Sequence, residues 1–189
     1  MIPASTGSLL IVNGSAASGK TTLAQALGAM LQLPVLSRDQ IKESLMDSLG
    51  SPDRARSREL GAASYAVLYT LLEQLLQADM SLIVESNFSH GTSEPELIRV
   101  AANARIAQIH CQTSHEEVFR RYRERAESGT RHPGHHDTDA ETIADLETSL
   151  RGNRHEPLSL DAPLLIVDTT DGYRPGIDEI TAFTANLLQ

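Results

Sequence analysis

The sequence has one cysteine, no tryptophan and few aromatic residues, which make up 4% of its length. A single cysteine, Cys111, excludes an intrachain disulfide and a zinc site built from cysteines, and this usage is typical of the reducing cytosol. Long apolar runs are also missing, because none approaches the roughly 20 residues that a membrane helix needs. Residues 1–12 lack the basic start and cleavage-like site of a secretory signal. These absences predict a cytoplasmic protein with no membrane partner.

Positive charge is scarce as well: 16 lysines and arginines stand against 25 acidic residues, which gives a formal charge of −9. A protein that covers a wide stretch of nucleic acid normally needs a basic surface, and stacking platforms need aromatic side chains. Nucleic acid is therefore a disfavoured partner. It is not excluded, because Arg54, Arg56 and Arg58 could form a local groove, although they could equally lie on a solvated helix face.

Short apolar runs alternate with helical patterns over the 189 residues, which suffice for one domain with a core. Strands are predicted at residues 8–13, 34–37, 81–84, 105–111 and 163–168. Helices are predicted at 19–31, 39–49, 54–78, 95–104, 114–127, 138–150 and 176–188. In the longest helix, Leu60, Val67, Leu71 and Leu75 are expected to face the core. This order predicts an α/β protein with a five-stranded parallel sheet between helices and a ligand at the carboxyl ends of its strands.

Residues 14–21 read GSAASGKT and match the phosphate-binding pattern G-x-x-x-x-G-K-[ST] without a gap, between a predicted strand and a predicted helix. The glycines let backbone N–H groups wrap around phosphate oxygens, and the helix N-terminus adds partial positive charge. Lys20 can reach the outer phosphates, and the Thr21 hydroxyl can ligate Mg²⁺. We therefore expect ATP with Mg²⁺ on Gly14, Ser15, Ala16, Ala17, Ser18, Gly19, Lys20, Thr21 and Thr22. The alternative is a glycine-rich turn with a solvated lysine.

The chain lacks the N-K-x-D motif of GTPases, and it is too short for the additional helical domain of an AAA+ motor. It resembles instead the small P-loop kinases, AAA-like ATP-binding proteins near the chloramphenicol phosphotransferase, zeta-toxin and polynucleotide kinase branch. The resemblance lies in residues 14–21, SRDQIK at 37–42, VESNF at 84–88, and Arg121, Arg125 and Arg131. It implies a three-layer P-loop NTPase fold of the nucleoside-kinase type in a single domain, residues 1–189, with a mobile lid at about residues 121–140.

In such kinases an aspartate after the second strand accepts the proton of the substrate hydroxyl, and Asp39 occupies that place. Asp39 could also be the N-cap of the next helix, and the two roles can coexist. Arg38 and Lys42 flank it and could hold the acceptor or a phosphate, or be solvated surface charges.

Glu85 stands where related kinases often carry the aspartate that organises Mg²⁺, and the longer side chain leaves direct or water-mediated contact open. Asn87, two residues on, is expected to point the same way on the strand and to bind substrate. For both residues the alternative is hydrogen bonding at a strand end.

Arg121 and Arg125 flank the apolar face of the helix at 114–127, and Arg131 lies in the loop that follows. The resemblance implies that these three are lid arginines, with Arg121 on the nucleotide and with Arg125 and Arg131 in catalysis beside Lys20 and Asp39. A solvated helix face is the alternative. Residues 132–137 contain three histidines and an aspartate, which could bind zinc, hydrogen-bond a ligand or form a plain loop.

The expected function is transfer of the γ-phosphate of ATP to a hydroxyl group of a small molecule of antibiotic, sugar or nucleoside type. The alternatives are a polynucleotide 5′-hydroxyl kinase, a nucleotide-binding switch or NTPase that is not a kinase, and a toxin-like kinase of nucleotide sugars. Residues of about 40–65 and 86–95 are expected to form the acceptor pocket, because they surround Asp39 in this layout. The sequence names no acceptor, and it leaves both a monomer and a homodimer open.

Overall fold

The computed structural model describes residues 7–188; residues 1–6, part of the segment in which no secretory signal is predicted, lie outside the described residues. The strands are β1 (Ser8–Gly14), β2 (Val35–Ser37), β3 (Leu82–Glu85), β4 (Arg105–Gln112) and β5 (Leu164–Asp168). The α-helices are α1 (Lys20–Leu31), α2 (Arg38–Leu49), α3 (Arg54–Gln77), α4 (Glu94–Val100), α5 (His115–Glu127), α6 (Ala140–Arg151) and α7 (Ile177–Leu188). Two single-turn 3₁₀ helices lie at Pro133–His135 and Asn153–His155.

The five strands form one parallel sheet in the order β2-β3-β1-β4-β5, which confirms the predicted fold class. β1 lies in the middle, and every residue of it is buried. Because the strand order reverses direction at β1, the loops that leave β1 and its neighbours diverge there and open a crevice. The phosphate-binding sequence follows β1 at this crevice.

Alternate residues of β1 point to opposite faces of the sheet and enter two separate cores. Leu9 and Ile11 pack with leucines of α3 and with α4, whereas Leu10 and Val12 pack with α1 and α7. Burial on both faces explains why β1 and β3 are apolar at consecutive positions, residues 9–12 and 82–84, instead of alternating with polar residues.

The buried face of α3 includes the predicted Leu60 but differs from the predicted one further along the helix. Val67 is 40% exposed, whereas its neighbour Leu68 and Leu72, one turn later, are fully buried against β1 and β3. Leucine-rich helices offer two apolar stripes one residue apart, and only packing against the sheet selects between them. α4 also ends earlier than predicted, because a turn from Ala101 to Ala104 follows Val100.

α5 and α6 cover the phosphate-binding loop. Val118 and Tyr122 of α5 and Leu146 of α6 form a small third core that includes Ala16 and Ala17 of the loop. The region in which a lid is predicted therefore packs directly on the sequence that is expected to hold phosphates. Among the described residues, no helix combines the length and the apolar character needed to cross a membrane.

Candidate active site

The backbone of residues 14–19 requires glycine at both ends. Gly14 has a φ of +149°, and a Cβ atom on it would lie 2.4 Å from the Cys111 carbonyl oxygen and 2.6 Å from Ser18 Oγ. Gly19 has a φ of +80° and is the N-cap of α1. Since the first amides of a helix lack intrahelical acceptors, the α1 terminus leaves N–H donors facing the loop.

Lys20 extends under the loop to the end of β3. Its ammonium lies 3.3 Å from the Ser15 carbonyl oxygen and 3.5 Å from Glu85 Oε1, both long contacts. Glu85 is buried, and its Oε2 accepts a hydrogen bond of 2.8 Å from the Ser37 hydroxyl. The Thr21 hydroxyl is exposed at the cleft. Hydroxyl and carboxylate oxygens are ligands that Mg²⁺ accepts, so the chemistry of Thr21 and Glu85 fits the expected ion.

Asp39 is the second residue of α2, and Ser37 is the N-cap, so the N-cap interpretation of Asp39 is wrong. Its carboxylate lies between two guanidinium groups, at 3.0 Å from Arg38 Nη1 and 2.8 Å from Arg131 Nη2. Burial alone would raise the pKa of Asp39. The charges of Arg131, Lys20 and Arg38 outweigh that effect and hold the pKa well below its usual range.

Arg38 and Lys42 are not solvated surface charges. The Arg38 Nη2 donates to the Gly61 carbonyl oxygen at 3.2 Å, and its guanidinium lies 4.8 Å from the centre of the Tyr65 ring. Lys42 is 8% exposed and borders the cleft. Burial is the main cause that lowers the pKa of Lys42 to about 8, and the positive charge of Arg38 lowers it further.

Asn87 lies beyond β3, which ends at Glu85, so the argument from alternation along a strand does not hold for this pair. The Asn87 carbonyl oxygen accepts a hydrogen bond of 3.3 Å from the Tyr65 hydroxyl. Asn87 is half-buried and lines the cleft, where a bound acceptor could meet it.

Arg121 lies on the other side of the loop, toward the end of β5. Its Nη2 donates to the carbonyl oxygens of Thr169 at 2.6 Å and Thr170 at 3.0 Å. Its Nη1 would lie 3.8 Å from a Cβ atom on Gly19. Thr169 is also tied to the loop, because its hydroxyl donates to the Ser18 carbonyl oxygen at 2.7 Å. Arg121 thus joins α5, the loop and the β5 end.

Arg125 and Arg131 lie over the Asp39 side. Arg125 Nη2 is 3.3 Å from Asp137 Oδ2, and its guanidinium is 5.3 Å from the centre of the Tyr122 ring. Arg131 reaches both carboxylates, at 2.8 Å from Asp39 and 3.5 Å from Asp137. All three predicted arginines are partly buried and turned toward the cleft, so the solvated-face alternative is wrong.

The three histidines after α5 point in different directions. Each has its own partner: His132 Nε2 lies 3.1 Å from Asp47, His135 Nε2 2.9 Å from Glu43, and His136 Nε2 3.1 Å from the Ser51 carbonyl oxygen. Burial is the main cause that lowers the pKa of His135 to about 3, and the positive charge of Arg131 lowers it further. Within residues 7–188 no three potential metal-binding side chains converge, so the zinc interpretation has no geometric support there.

Most of the predicted site residues line one cleft of about 830 Å³. Its floor carries residues 16, 17 and 19–22 of the loop, residues 38, 39 and 42 of α2, and Asn87 after β3, whereas Gly14, Ser15, Ser18 and Glu85 lie behind this lining. Its roof was not predicted: α6 and the 3₁₀ turn after it supply Thr142, Asp145, Ser149, Arg154 and His155. The expected pocket segments are correct for residues 40, 42, 43, 87 and 89, whereas residue 41 and residues 44–65 do not line the cleft. The sequence signal from which the α6 lining could have been predicted is the helical spacing of its polar side chains.

Two arginines of the candidate nucleic-acid cluster attach α6 to α3. Arg54 forms ion pairs with Glu141 and Asp145 of α6, and Arg58 Nη2 lies 3.1 Å from Asp145. Arg56 pairs with Glu59 on its own helix at 2.8 Å. All three charges are therefore already matched by carboxylates, and Arg54 and Arg58 attach the roof to α3 instead of forming a free basic groove.

With this geometry in view, comparison with known families matches residues 9–151 to the AAA domain. The chain belongs to this AAA-domain family. It is 39% identical to a "putative kinase" from Chloroflexus aurantiacus J-10-fl, whose crystal structure superposes with a TM-score of 0.86 and covers 97% of this chain and 100% of that one. The comparison with curated proteins gave no match.

More distant crystal structures share the fold of this AAA-domain protein. Kti12 from Chaetomium thermophilum, in complex with ADP-AlF₃, has a TM-score of 0.69 at 20% identity and covers 96% of this chain and 99% of that one. The APS kinase of Mycobacterium tuberculosis, in complex with AMPPNP and APS, has a TM-score of 0.58 at 18% identity, with 97% and 98% covered. Family and fold together confirm the expectation of a small P-loop kinase.

Proposed function

We propose that the protein transfers the γ-phosphate of ATP to a hydroxyl group of a small molecule. The observation that carries this proposal is the position of Asp39, a carboxylate that faces the phosphate-binding loop across the cleft beside Lys20, Arg38 and Arg131. A nucleotide switch has no use for a carboxylate on the acceptor side, whereas a kinase needs one to orient a hydroxyl group. The kinase relatives support the same reading.

In the proposed reaction the acceptor oxygen forms a bond to the γ-phosphorus as the bond from that phosphorus to ADP breaks. Asp39 accepts a hydrogen bond from the acceptor hydroxyl and receives its proton as the new bond forms. Residues 14–22 hold the phosphates, and Lys20 offsets charge on the transferred group. Thr21 and Glu85 would hold Mg²⁺, which supplies further positive charge at the phosphates.

The pairing of Asp39 with Arg131 implies that the lid must rearrange for reaction. A carboxylate whose pKa is held so low is a poor proton acceptor while both arginines bind it. A γ-phosphate competes for Arg131, because phosphate oxygens bind guanidinium groups in the same way as a carboxylate does. We propose that residues of about 121–140 move as a lid and that Arg131 passes from Asp39 to the phosphate, with Arg125 beside it. Arg121 stays with the nucleotide at the β5 end.

The test is release of ADP and formation of phosphorylated product across a panel of hydroxyl acceptors, with ATP and Mg²⁺. Lys20→Ala and Asp39→Asn are expected to lower acceptor-dependent turnover by roughly 10²- to 10⁴-fold. Asp171→Asn is the matched control, since Asp171 is an exposed carboxylate outside the cleft. ATP hydrolysis that ignores every acceptor and survives Asp39→Asn would contradict the proposal and favour the switch.

A polynucleotide acceptor is the less supported candidate. Its binding would need free basic residues near the cleft, and Arg54 and Arg58 are already paired with α6. Including a 5′-hydroxyl oligonucleotide in the acceptor panel tests this alternative directly.

A further inference from the structure

Lysine occurs at two positions in the whole chain, Lys20 and Lys42. Both are buried, and both border the cleft. Lys20 belongs to the phosphate-binding loop. Lys42 lies on α2, one turn beyond Asp39, on the acceptor side.

Lys42 makes no hydrogen bond or ion pair with any residue that the structure describes. The nearby carboxylates are already matched: Asp39 by Arg38 and Arg131, Asp137 by Arg125 and Arg131, and Glu43 by Arg131 and His135. Asp39 and Asp137 act on the Lys42 charge from nearby, but neither pairs with it directly, because arginines hold both carboxylates. Burying an ammonium is costly unless an anion pairs with it. An anionic ligand that enters the cleft would supply the direct partner that Lys42 lacks among the described residues.

We propose, on the basis of the proposed function, that the acceptor is a small hydroxylated anion whose carboxylate or phosphate binds Lys42 while its hydroxyl group lies at Asp39. Residues three apart on a helix share a face, with about 5–6 Å between their Cβ atoms. The anionic group and the reacting hydroxyl are therefore separated by a short carbon chain. A carboxylate is the better match, because Lys42 brings one positive charge and the nearby arginines are occupied.

α3 packs closely on this side of α2 at Gly61. A Cβ atom on Gly61 would lie 2.7 Å from Arg38 Nη2 and 3.7 Å from Lys42 Cε. A larger residue at this position would displace the Arg38 guanidinium, which binds Asp39. Burial also lowers the pKa of Lys42 to about 8, and a bound anion would raise that pKa again.

The binding test uses acceptors that share a carbon skeleton, with a non-hydrolysable ATP analogue and Mg²⁺ present. Titration calorimetry compares glycerol, glycerate and glycerol 3-phosphate, and likewise threitol and threonate. We expect the anions to bind roughly 10- to 100-fold more tightly than the neutral compounds. Lys42→Met should abolish that preference, and Arg99→Met, which removes a charge outside the cleft, should keep it. Preference for glycerol 3-phosphate over glycerate would identify phosphate as the anion.

The inference is wrong if the neutral compounds bind as tightly as the anions, if none of the five binds, or if Lys42→Met keeps the preference. A second readout does not depend on turnover. In protein labelled with ¹³C-lysine the two Cε signals can be assigned with Lys42→Arg, and the Lys42 signal should titrate near pH 8. Threonate should move its titration to higher pH, and an unchanged titration would contradict the anion site.

Failure of this inference and failure of the proposed function give different results. Phosphorylation of neutral polyols at rates that Lys42→Met leaves unchanged would remove the anion site and keep the kinase. A Lys42 signal that responds to threonate, without acceptor-dependent ADP release from any compound, would keep the anion site and remove the kinase proposal.

Discussion

The Asp39 carboxylate lies between Arg38 and Arg131. Among single residues, these two contacts decide how readily Asp39 accepts a proton. Arg38 is also the neighbour of Asp39 in the sequence, whereas Arg131 is 92 positions away, so the second contact is not obvious from the sequence. The charges keep Asp39 ionised well into acid conditions, so its pKa depends on which guanidinium groups stay in place.

Replacement of Arg131 is expected to change the pH profile in a defined direction. Removing its positive charge takes away support for the ionised carboxylate, so the pKa of Asp39 should rise toward its ordinary value. In Arg131→Met the acid side of the kcat/KM profile should therefore move to higher pH, whatever the loss in absolute rate. The profile is measured by acceptor-dependent ADP release. Arg123→Met, on the exposed side of α5, is the control, and equal acid limbs in all three proteins would contradict the expectation.

At the scale of helices and strands, α3 offers a test of which side is buried. Leu68→Ala leaves a hole in the core between α3 and the sheet and should lower the free energy of unfolding by about 2–5 kcal/mol. Val67→Ala, one residue earlier, should change it by less than about 1 kcal/mol, because Val67 is largely exposed. Urea denaturation followed by circular dichroism measures both. Equal losses would contradict the difference in burial between Leu68 and Val67, and a larger loss in Val67→Ala would place the buried face where the sequence pattern put it.

The attachment of α6 to α3 should affect opening of the roof more than overall stability. Arg54→Met removes the ion pairs with Glu141 and Asp145, whose carboxylates are exposed, so the expected loss of stability is below about 1 kcal/mol. Amide hydrogen exchange within residues 140–151 should nevertheless become faster. Arg56→Met is the matched control on the same helix, because Arg56 pairs only within α3. Unchanged exchange in Arg54→Met would mean that the apolar contacts of Leu146 and the ion pair of Arg58 with Asp145 suffice to hold the roof.

For the molecule as a whole, the buried His135 and the half-buried His155 predict how stability depends on pH. Burial is the main cause that lowers the pKa of His135 to about 3 and that of His155 to about 4, compared with about 6.5 in an unfolded chain. Below pH 6.5 the unfolded chain binds protons that the folded chain does not, so stability falls as the pH drops through this window. The slope should approach about 1 kcal/mol per pH unit for each histidine.

Urea denaturation at pH 7, 6, 5 and 4 measures this slope. The double variant His135→Gln, His155→Gln should show a clearly shallower decline, whereas His115→Gln, an exposed histidine of α5, should follow the original protein. If the free energy of unfolding of the double variant falls with pH as steeply as that of the original protein, other groups cause the acid sensitivity.

Local patterns predict the fold of this molecule well. The five apolar runs and the loop at residues 14–21 specify the sheet, its parallel strands and the end at which ligands bind, because each depends on residues close together in sequence. Contacts between distant segments could not be predicted in the same way. Three features depend on how complete helices and loops pack against one another: the pair of Asp39 with Arg131, the roof formed by α6, and the burial of Leu68 instead of Val67. The roles of the site residues stay predictions until the variants above are measured.

Cys111 gives the molecule a practical property for spectroscopy. It is 1% exposed at the end of β4, and burial raises the pKa of its thiol to about 12. Maleimide dyes react with exposed thiolates, so the natural chain should stay unlabelled at neutral pH. Two cysteines introduced on the outer surfaces of α3 and α6 could therefore carry a donor and an acceptor dye without background labelling. Energy transfer between the dyes would then follow, in single molecules, how often the roof lifts while nucleotide arrives and leaves.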